Sequence, residues 1–299
     1  MSVPTFTLGP VTVYFGEKSG KYPDGNQVVV RGRDAVAVFD TPLVANRLGP
    51  VLDEADLVIL GHVHEDHMAG LHRMPGVPVF APEQDLAAAQ SWDGLARHYG
   101  IRPQVLPAMR AKIEREFHYV PRPDAIGYPN GHVWDLGGVR VRAVHMPGHT
   151  AGHCVLLVEP EGVAFIGDID LTGFGPYYGD ACSSLAAFRR TVERIADLPA
   201  RTWVTSHHKG VITDRAQFLK LLKAFEEKFD LRREAILGAL AAQPRSLDAL
   251  VSHRFLYPPD YHDVYIEDAE RRTIAEHLDE LIAAGRVALR EGTYSAVPG

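Results

Sequence analysis

The sequence of 299 residues contains only two cysteines, Cys154 and Cys182, and they do not form a C-x-x-C pair. Two thiols are too few for a disulfide framework, which favours a reducing compartment. No apolar stretch approaches the roughly 18 residues that a membrane-spanning helix needs. The N-terminal segment MSVPTFTLGP lacks the basic and apolar regions of an export signal. We therefore expect a cytoplasmic protein that does not associate with membranes.

Positive charge is also scarce, because 31 lysines and arginines face 38 aspartates and glutamates, for a net charge of -7. Nucleic-acid binding is driven by cations that neutralise phosphates, so this balance disfavours nucleic acid as a partner and favours a small-molecule substrate. The composition does not exclude a local basic groove, and it does not exclude a homo-oligomer. Hydrophobic residues make up 46% of the chain. That content and this length are typical of one large globular domain plus a small one.

Short apolar runs separated by turn residues fill the first two thirds of the chain. We predict helices over 83–118, interrupted at Pro103 and Pro107, and over 183–195, capped by Ser183 or Ser184. The apolar runs predict strands at 11–15, 27–30, 35–39, 57–60, 139–144, 155–158, 163–166 and 203–205. This mixture of strands and helices indicates a layered α/β domain over residues 1–213.

From Asp214 onward the pattern changes to strong helical periodicity. We expect a helix to Ala242, a short helix over 247–251, a loop at Pro258 and Pro259, and a helix over about 269–284. The tail predicts a two-stranded hairpin with Gly292 at its turn. This order resembles a winged-helix module, so residues 214–299 form the second predicted domain.

The chain contains 15 histidines, and several are clustered. The segment GHVHEDHMAG, residues 61–70, places His62, His64, Asp66 and His67 within six positions, directly after the apolar run 57–60. In such a loop His62 and His64 can converge on one ion, while Asp66 and His67 face a second. Imidazole and carboxylate groups suit zinc, iron and manganese, and paired ions lie roughly 3.5 to 4 Å apart. The segment therefore predicts a two-metal site.

The pattern H-x-H-x-D-H followed by a small residue and glycine resembles the signature of the metallo-β-lactamase superfamily. The family's other landmarks recur in order, and the resemblance covers about residues 8–213. The segment MPGHT, residues 146–150, matches the P-G-H-T turn, which implies that His149 is the third ligand of the first metal. FIGD, residues 165–168, matches a strand that ends in a bridging aspartate, here Asp168. The implied fold is a four-layer αββα sandwich.

The last landmark is ambiguous, because SHHKGVI, residues 206–212, departs from the usual G-H-G. Ungapped alignment on Val211 and Ile212 favours His208 as the last ligand, with His207 as the alternative. We expect His153 to be structural rather than a ligand. Surface or packing roles are predicted for the remaining histidines: His72, His98, His118, His132, His145, His253, His262 and His277.

The resemblance implies a hydrolase in which a hydroxide that bridges two divalent ions attacks a small thioester, ester or lactone. Zinc is the first choice of metal, with iron or manganese as alternatives. Asp66 would hold the second ion and orient the nucleophile. Cys154 and Cys182 are then expected to pack in the core or to support the site, rather than to act as nucleophiles. Two other activities stay open: a single-strand endoribonuclease, and an iron-dependent sulfur dioxygenase, which shares the histidine motif. A binding protein with a vestigial site is disfavoured because the ligand set is complete.

Substrate contacts are harder to predict than metal ligands. Tyr177, Tyr178 and Lys209 lie near the landmarks in sequence and either contact substrate or are ordinary loop residues. The loop 171–180 is rich in glycine and aromatic residues and is predicted to line an apolar pocket. In the C-terminal module acidic residues outnumber the arginines, which disfavours nucleic-acid recognition. We expect the module to cover the mouth of the active site or to form a dimer contact.

Overall fold

The computed structural model describes residues 3–297, so residues 1, 2, 298 and 299 of the two predicted domains lie outside it. Within the described range, the first sheet has seven strands that follow one another in sequence order. The first three pairings are antiparallel and the last three are parallel. The strands are β1 (Thr5–Leu8), β2 (Val11–Tyr14), β3 (Gln27–Arg31), β4 (Val36–Phe39), β5 (Leu57–Ile59), β6 (Val79–Pro82) and β7 (Ile126–Tyr128).

The second sheet has six strands in the described part of the chain, in the spatial order β13-β12-β11-β10-β9-β8. They are β8 (Val133–Asp135), β9 (Arg140–His145), β10 (Cys154–Glu159), β11 (Val163–Phe165), β12 (Thr202–Val204) and β13 (Val211–Ile212). Only β11 and β12 pair in parallel within this sheet.

Alternation of side chains along each strand builds the layers. In β3, Val28 and Val30 point into the core between the two sheets, while Val29 points into the core beneath the outer helices. Outer helices cover the first sheet at α1 (Leu86–Gln90), α2 (Trp92–Tyr99) and α3 (Leu106–Glu116), and the second sheet at α4 (Leu185–Ile195) and α5 (Arg215–Ala242). The arrangement confirms the predicted four-layer αββα sandwich.

Each predicted strand exists within one or two residues of its predicted bounds, and the region 83–118 contains α1, α2 and α3. Ser184 is the cap of α4, since its hydroxyl accepts the N–H of Ala187. Pro107 lies in the first turn of α3, where its missing N–H costs nothing. The sequence interpretation missed β1, β6, β7, β8 and β13, which have two to four residues each; β6 also contains proline.

The C-terminal residues form a smaller unit. It contains β14 (Arg245–Ser246), α6 (Leu247–His253), α7 (Ile266–Ala283), β15 (Val287–Arg290) and β16 (Thr293–Ala296). The three strands pair antiparallel in the order β14-β16-β15, with Gly292 in the turn of the last hairpin. The order of helices and of the last hairpin agrees with the predicted one, whereas β14 was not predicted. The winged-helix interpretation stays a prediction.

Helix α5 is shared by the two units. It begins after Asp214, whose carboxylate accepts the N–H of Gln217 at 2.8 Å. Its first half, through Phe225 and Phe229, packs beneath the second sheet, whereas Ile236 and Leu240 belong to the C-terminal core. The proposed boundary at residue 214 therefore lies at the start of a helix that joins two cores. None of the helices in residues 3–297 has the length and apolarity that crossing a bilayer requires.

Candidate metal centre

The candidate site lies where loops follow the carboxyl ends of strands from both sheets. The loop after β5 supplies His62, His64, Asp66 and His67, because the buried strand ends at Ile59 and a short 3-10 turn, Glu65–His67, redirects the chain. The loop between β9 and β10 supplies His149, and the other donors follow β11 and β12. Each strand has its apolar side chains in a core, so the polar residues that follow are fixed at one edge of the sandwich.

The first group of donors consists of His62, His64, His149 and Asp168, whose ligand atoms all lie within 4.8 Å of one another. His64 Nδ1 lies 3.1 Å from His149 Nε2. Asp168 Oδ2 lies 3.4 Å from His149 Nε2 and 4.0 Å from His62 Nε2. Three imidazole nitrogens and one carboxylate oxygen thus surround one point.

The second group of donors consists of Asp66, His67 and His207. His207 Nε2 lies 2.9 Å from Asp66 Oδ2, and His67 Nε2 lies 3.5 Å from that same oxygen. The other oxygen of Asp168, Oδ1, faces this group at 3.2 Å from His67 and 3.6 Å from His207. Asp168 therefore presents one oxygen to each group, which is the arrangement expected of a bridging carboxylate.

The structure places His207, the alternative to His208, in the second group of donors. In the turn after β12, Thr205 Oγ1 donates to the carbonyl of His207 and accepts the N–H of Gly210. His208 lies at the tip of this turn with a φ of 59°, half-buried, and is in none of the donor groups of the described residues. The ring of His207 is buried against Asp66 instead. The turn directs the two neighbouring histidines differently, and we therefore propose His207 as the last ligand.

Most ring nitrogens that face away from the donor groups have partners. His67 Nδ1 lies 2.8 Å from Asp40 Oδ2, and His149 Nδ1 lies 3.0 Å from the carbonyl of Tyr177. His207 Nδ1 contacts the carbonyls of Gly20 and Asp24 at 3.0 and 2.8 Å. Each contact makes Nδ1 the donor and directs Nε2, with its lone pair, into the site. His64 is turned the other way, with Nε2 at 3.0 Å from Asp180 Oδ2.

Several buried atoms that face the two groups have no hydrogen-bond partner among the described residues: His62 Nε2, His67 Nε2, His207 Nε2 and Asp168 Oδ1. The 2.9 Å contact between His207 and Asp66 lacks the angle of a hydrogen bond. Unsatisfied buried polar atoms are costly and rare, so their convergence calls for a ligand. A nitrogen-rich set with carboxylates suits divalent zinc, iron or manganese, and the residues present therefore fit two such ions.

The electrostatics of the donor residues agree with this fit. Burial opposes protonation of His207, but Asp168 and Asp66 raise its pKa to about 10. Burial likewise opposes protonation of His64, whose ion pair with Asp180 raises its pKa to about 9. Burial lowers the pKa of His149 to about 4. The buried carboxylates thus favour positive charge among these rings, the role that divalent cations would take.

Three buried aspartates that support the site were not predicted from the sequence. Asp40 accepts the N–H of Gly61 at 2.7 Å besides contacting His67. Asp85 accepts from Thr150 Oγ1 at 2.6 Å and from Gly152 N at 2.8 Å, and so ties the His149 turn to the start of α1. Asp180 holds His64. Only Asp40, directly after an apolar strand, carried a sequence signal that could have identified it.

Two glycines allow the loops to approach each other. Gly167 has a φ of 55°, and a Cβ there would lie 2.6 Å from His153 Nε2. That nitrogen accepts the N–H of Asp168 at 3.3 Å, while His153 Nδ1 contacts the carbonyl of Met146. His153 therefore has the geometry of a supporting residue. A Cβ on Gly148 would lie 2.2 Å from the backbone of Phe188.

A cleft of about 740 Å³ opens in front of both donor groups. The C-terminal unit contributes Tyr257, Tyr261 and Tyr265 to the lining of this cleft. This unit therefore lies at the mouth of the site, which is one of the two locations expected from the sequence. Loop 171–180 contributes Phe174, Gly175, Tyr177 and Asp180.

Of the three candidate substrate contacts, the structure places only Tyr177 in the cleft lining. Tyr178 is 1% exposed, and its hydroxyl lies 2.8 Å from His277 Nε2, so its role is packing. Lys209 is exposed outside the lining. Cys154 is buried between the sheets. Cys182 lies close to His98 and His64, a proximity that the sequence did not indicate.

Comparison with known proteins agrees with this geometry. An atrochrysone carboxyl ACP thioesterase of Pseudocercospora fijiensis is 26% identical over 210 residues, which are 67% of this chain and 58% of that protein. A hydroxyacylglutathione hydrolase of Xylella fastidiosa is 23% identical over 65% of this chain and 59% of its own length. This chain thus matches somewhat under two thirds of the length of these curated relatives.

The fold also matches a solved structure, a metallo-beta-lactamase family protein of Thermus thermophilus, with a TM-score of 0.70 at 23% identity. That likeness covers 97% of this chain and 99% of the other. The sequence model that describes the metallo-beta-lactamase superfamily matches residues 23–222, well over half of the sequence. The chain belongs to the metallo-beta-lactamase superfamily.

Proposed function

We propose that this protein is a metal-dependent hydrolase of small thioesters, with esters and lactones as related substrates. The observation that carries the proposal is the pair of donor groups that share Asp168 at the base of a cleft of about 740 Å³. A cleft of this size suits a compact organic ligand. The names of two relatives, a thioesterase and a hydroxyacylglutathione hydrolase, support the choice of a thioester.

The donor groups assign residues to two ions. His62, His64 and His149 would hold the first, Asp66, His67 and His207 the second, and Asp168 would bind both. Zinc is our first choice, and iron or manganese also suits these donors. Such ions, when bound, provide Lewis acidity and lower the pKa of water to around 7.

The chain's own groups then organise the hydrolysis. Asp66, with Oδ2 against His207 and His67, accepts a hydrogen bond from the attacking water and orients it towards the cleft. A C–O bond forms to the thioester carbonyl carbon, the C–S bond breaks, and the proton from water passes to the leaving thiolate. The products are a carboxylic acid and a thiol. No cysteine takes part, since burial raises the pKa of Cys154 to about 12 and holds the pKa of Cys182 well above its ordinary value, and neither lines the cleft.

An endoribonuclease activity has less support in the geometry. Arg271 forms an ion pair with Asp248 at 2.7 Å, and Arg272 donates to the carbonyl of Gly100. Both arginines of α7 are therefore occupied within the protein rather than presented to a phosphate backbone. Acidic residues also outnumber the two lysines, Lys21 and Lys112, in the cleft lining, which disfavours a phosphate backbone.

The test is an activity panel on protein whose metal content has been measured. We expect about two metal equivalents per chain, turnover of thioesters, and loss of both activity and thermal stability on chelation, because ions bound only to the native state stabilise it. Asp66→Ala serves as the control for contaminating activity. Three outcomes would overturn the proposal: RNA cleavage that vanishes in Asp66→Ala without thioester turnover, oxygen consumption with persulfide substrates by the iron-loaded protein alone, or no bound metal after reconstitution.

A further inference from the structure

The lining of the cleft has an unusual balance of side chains. Seven aromatic residues line it, six tyrosines and Phe174, against only two larger aliphatic side chains, Ile101 and Met109. A cleft built for a straight alkyl chain would instead be expected to be lined by aliphatic side chains, which adapt to a flexible ligand. Rigid aromatic rings offer flat faces on which another flat ring stacks.

Four of these rings form one continuous wall opposite the metal centre, which we call the tyrosine wall: Phe174, Tyr257, Tyr261 and Tyr265. Tyr257 is at its centre. Its ring is stacked on Tyr261 with a centroid separation of 5.7 Å and an interplanar angle of 17°. Phe174 and Tyr265 contact Tyr257 at 5.4 and 6.1 Å. Three of the four residues come from the loop between α6 and α7.

The backbone that carries the tyrosine wall is held rigidly. Glu270 of α7 is completely buried, and its carboxylate accepts three successive backbone N–H groups, from Phe255, Leu256 and Tyr257, at 2.8 to 3.0 Å. Lys112 of α3 forms an ion pair with Asp263 in the same loop. The centre of the wall at Tyr257 is therefore preformed, which lowers the entropic cost of ordering the wall when a flat ligand binds.

We infer that the substrate is a thioester of a planar aromatic acyl group, which stacks on the tyrosine wall while its carbonyl reaches the metal centre. The inference rests on the proposed thioester hydrolysis and adds the chemical class of the acyl group. The volume of about 740 Å³ accommodates a fused ring system together with the start of the thiol arm. Tyr257 and Tyr261 are then specificity-determining residues, because their rings contact the acyl group and not the scissile bond.

The experiment compares naphthoyl and octanoyl thioesters of N-acetylcysteamine, which share the thiol and differ in the shape of the acyl group. We expect kcat/KM to favour naphthoyl. In Tyr261→Leu, which keeps an apolar side chain but removes the ring, kcat/KM for naphthoyl should fall about threefold to tenfold, mainly through KM, with a smaller change for octanoyl. Tyr261→Phe should keep the preference. Tyr294→Leu, in β16 outside the cleft, is the matched control and should keep it too.

A second measurement does not depend on catalysis. Naphthoate and octanoate are titrated, by isothermal titration calorimetry, into protein from which a chelator has removed the metal. We expect naphthoate to bind more tightly than octanoate. This difference in affinity should be lost in Tyr257→Leu and Tyr261→Leu. An octanoyl preference in both measurements, or an unchanged naphthoyl preference in both leucine variants, would overturn the inference and leave thioester hydrolysis intact. Absence of all thioester turnover would overturn the proposed function, while the binding data would still decide whether the wall selects planar acids.

Discussion

At the residue scale, the proposed second metal site depends on which of two adjacent histidines faces Asp66. We predict that His207→Ala removes about one metal equivalent and lowers kcat by orders of magnitude, because the ring lies 2.9 Å from Asp66 Oδ2 inside the second donor group. His208→Ala, a matched control one residue away, should keep both equivalents. Metal analysis after dialysis checks this, and the opposite pattern would restore His208 as the ligand.

The supporting carboxylates give a second prediction at the same scale. Asp40 is 1% exposed and lies outside the cleft lining, yet it fixes the ring of His67 and the backbone of Gly61. Asp40→Asn should weaken metal binding about 10- to 100-fold, with the larger effect on the second site. Competition with a chromophoric chelator measures both affinities. Asp34→Asn, at an exposed position, is the control, and equal affinities in the two variants would contradict a supporting role for Asp40.

The donors that follow a strand within a few residues could be predicted from the sequence, since a dense histidine motif after an apolar run leaves few alternatives. His62, His64, Asp66 and His67 are of this kind, and the structure brings them together. The pair at 207 and 208 could not be resolved, because a one-residue choice depends on the hydrogen bonds of a turn. The supporting roles of Asp85 and Asp180 could not be predicted from the sequence, because each residue contacts the site only through the packing of distant segments.

At the element scale, the loop 254–265 depends on one buried carboxylate. We predict that Glu270→Gln destabilises the fold by about 1–3 kcal/mol, because glutamine has one acceptor oxygen for three N–H groups and turns an amide N–H towards one of them. The loop should also become more mobile, so KM should rise more than kcat falls. Denaturant unfolding and steady-state kinetics check the two effects. Glu291→Gln, at an exposed turn, is the control, and a Glu270→Gln variant of unchanged stability would contradict the anchoring role.

The elements differ in how far the sequence predicted them. Long periodic segments such as α5 and α7 and the strongly apolar strands were predicted with nearly their true bounds. Several strands of two to four residues were missed, because such short runs contain too few positions to establish alternation, and pairing with neighbouring strands fixes them instead. The tyrosine wall was also missed. Tyr257, Tyr261 and Tyr265 are spaced four residues apart, but their loop has no apolar pattern that places it against the metal centre.

At the scale of the whole molecule, several kinds of contact bind the C-terminal unit to the two-sheet unit that holds the metal centre, which we call the catalytic unit. Arg102 forms ion pairs with Glu267 and Asp268 at 2.7 and 2.9 Å. Arg232 of α5 donates to the carbonyls of Phe174 and Pro176 and so fixes loop 171–180. The metal centre, the loop and the tyrosine wall therefore form one rigid arrangement, although the sequence suggested two domains with a boundary at residue 214.

This sharing of α5 predicts that the two units unfold together. All three tryptophans, Trp92, Trp134 and Trp203, precede residue 214, so their fluorescence reports only the catalytic unit. Far-UV circular dichroism also reports α6 and α7. In denaturant, with chelator present to remove metal linkage, we expect the two signals to give the same midpoint, because the core around Phe225 and the core around Leu240 lie on one continuous helix.

The variant Leu240→Ala makes the test of this coupling sharper. Its side chain is 2% exposed in the C-terminal core, and its loss should cost about 2–5 kcal/mol. If α5 couples the cores, the fluorescence midpoint of the catalytic unit should fall together with the dichroism midpoint, although no tryptophan lies in the C-terminal unit. Leu289→Ala, at a position 49% exposed, is the control and should shift neither. A dichroism transition that moves alone would instead mean that residue 214 separates two independently stable domains.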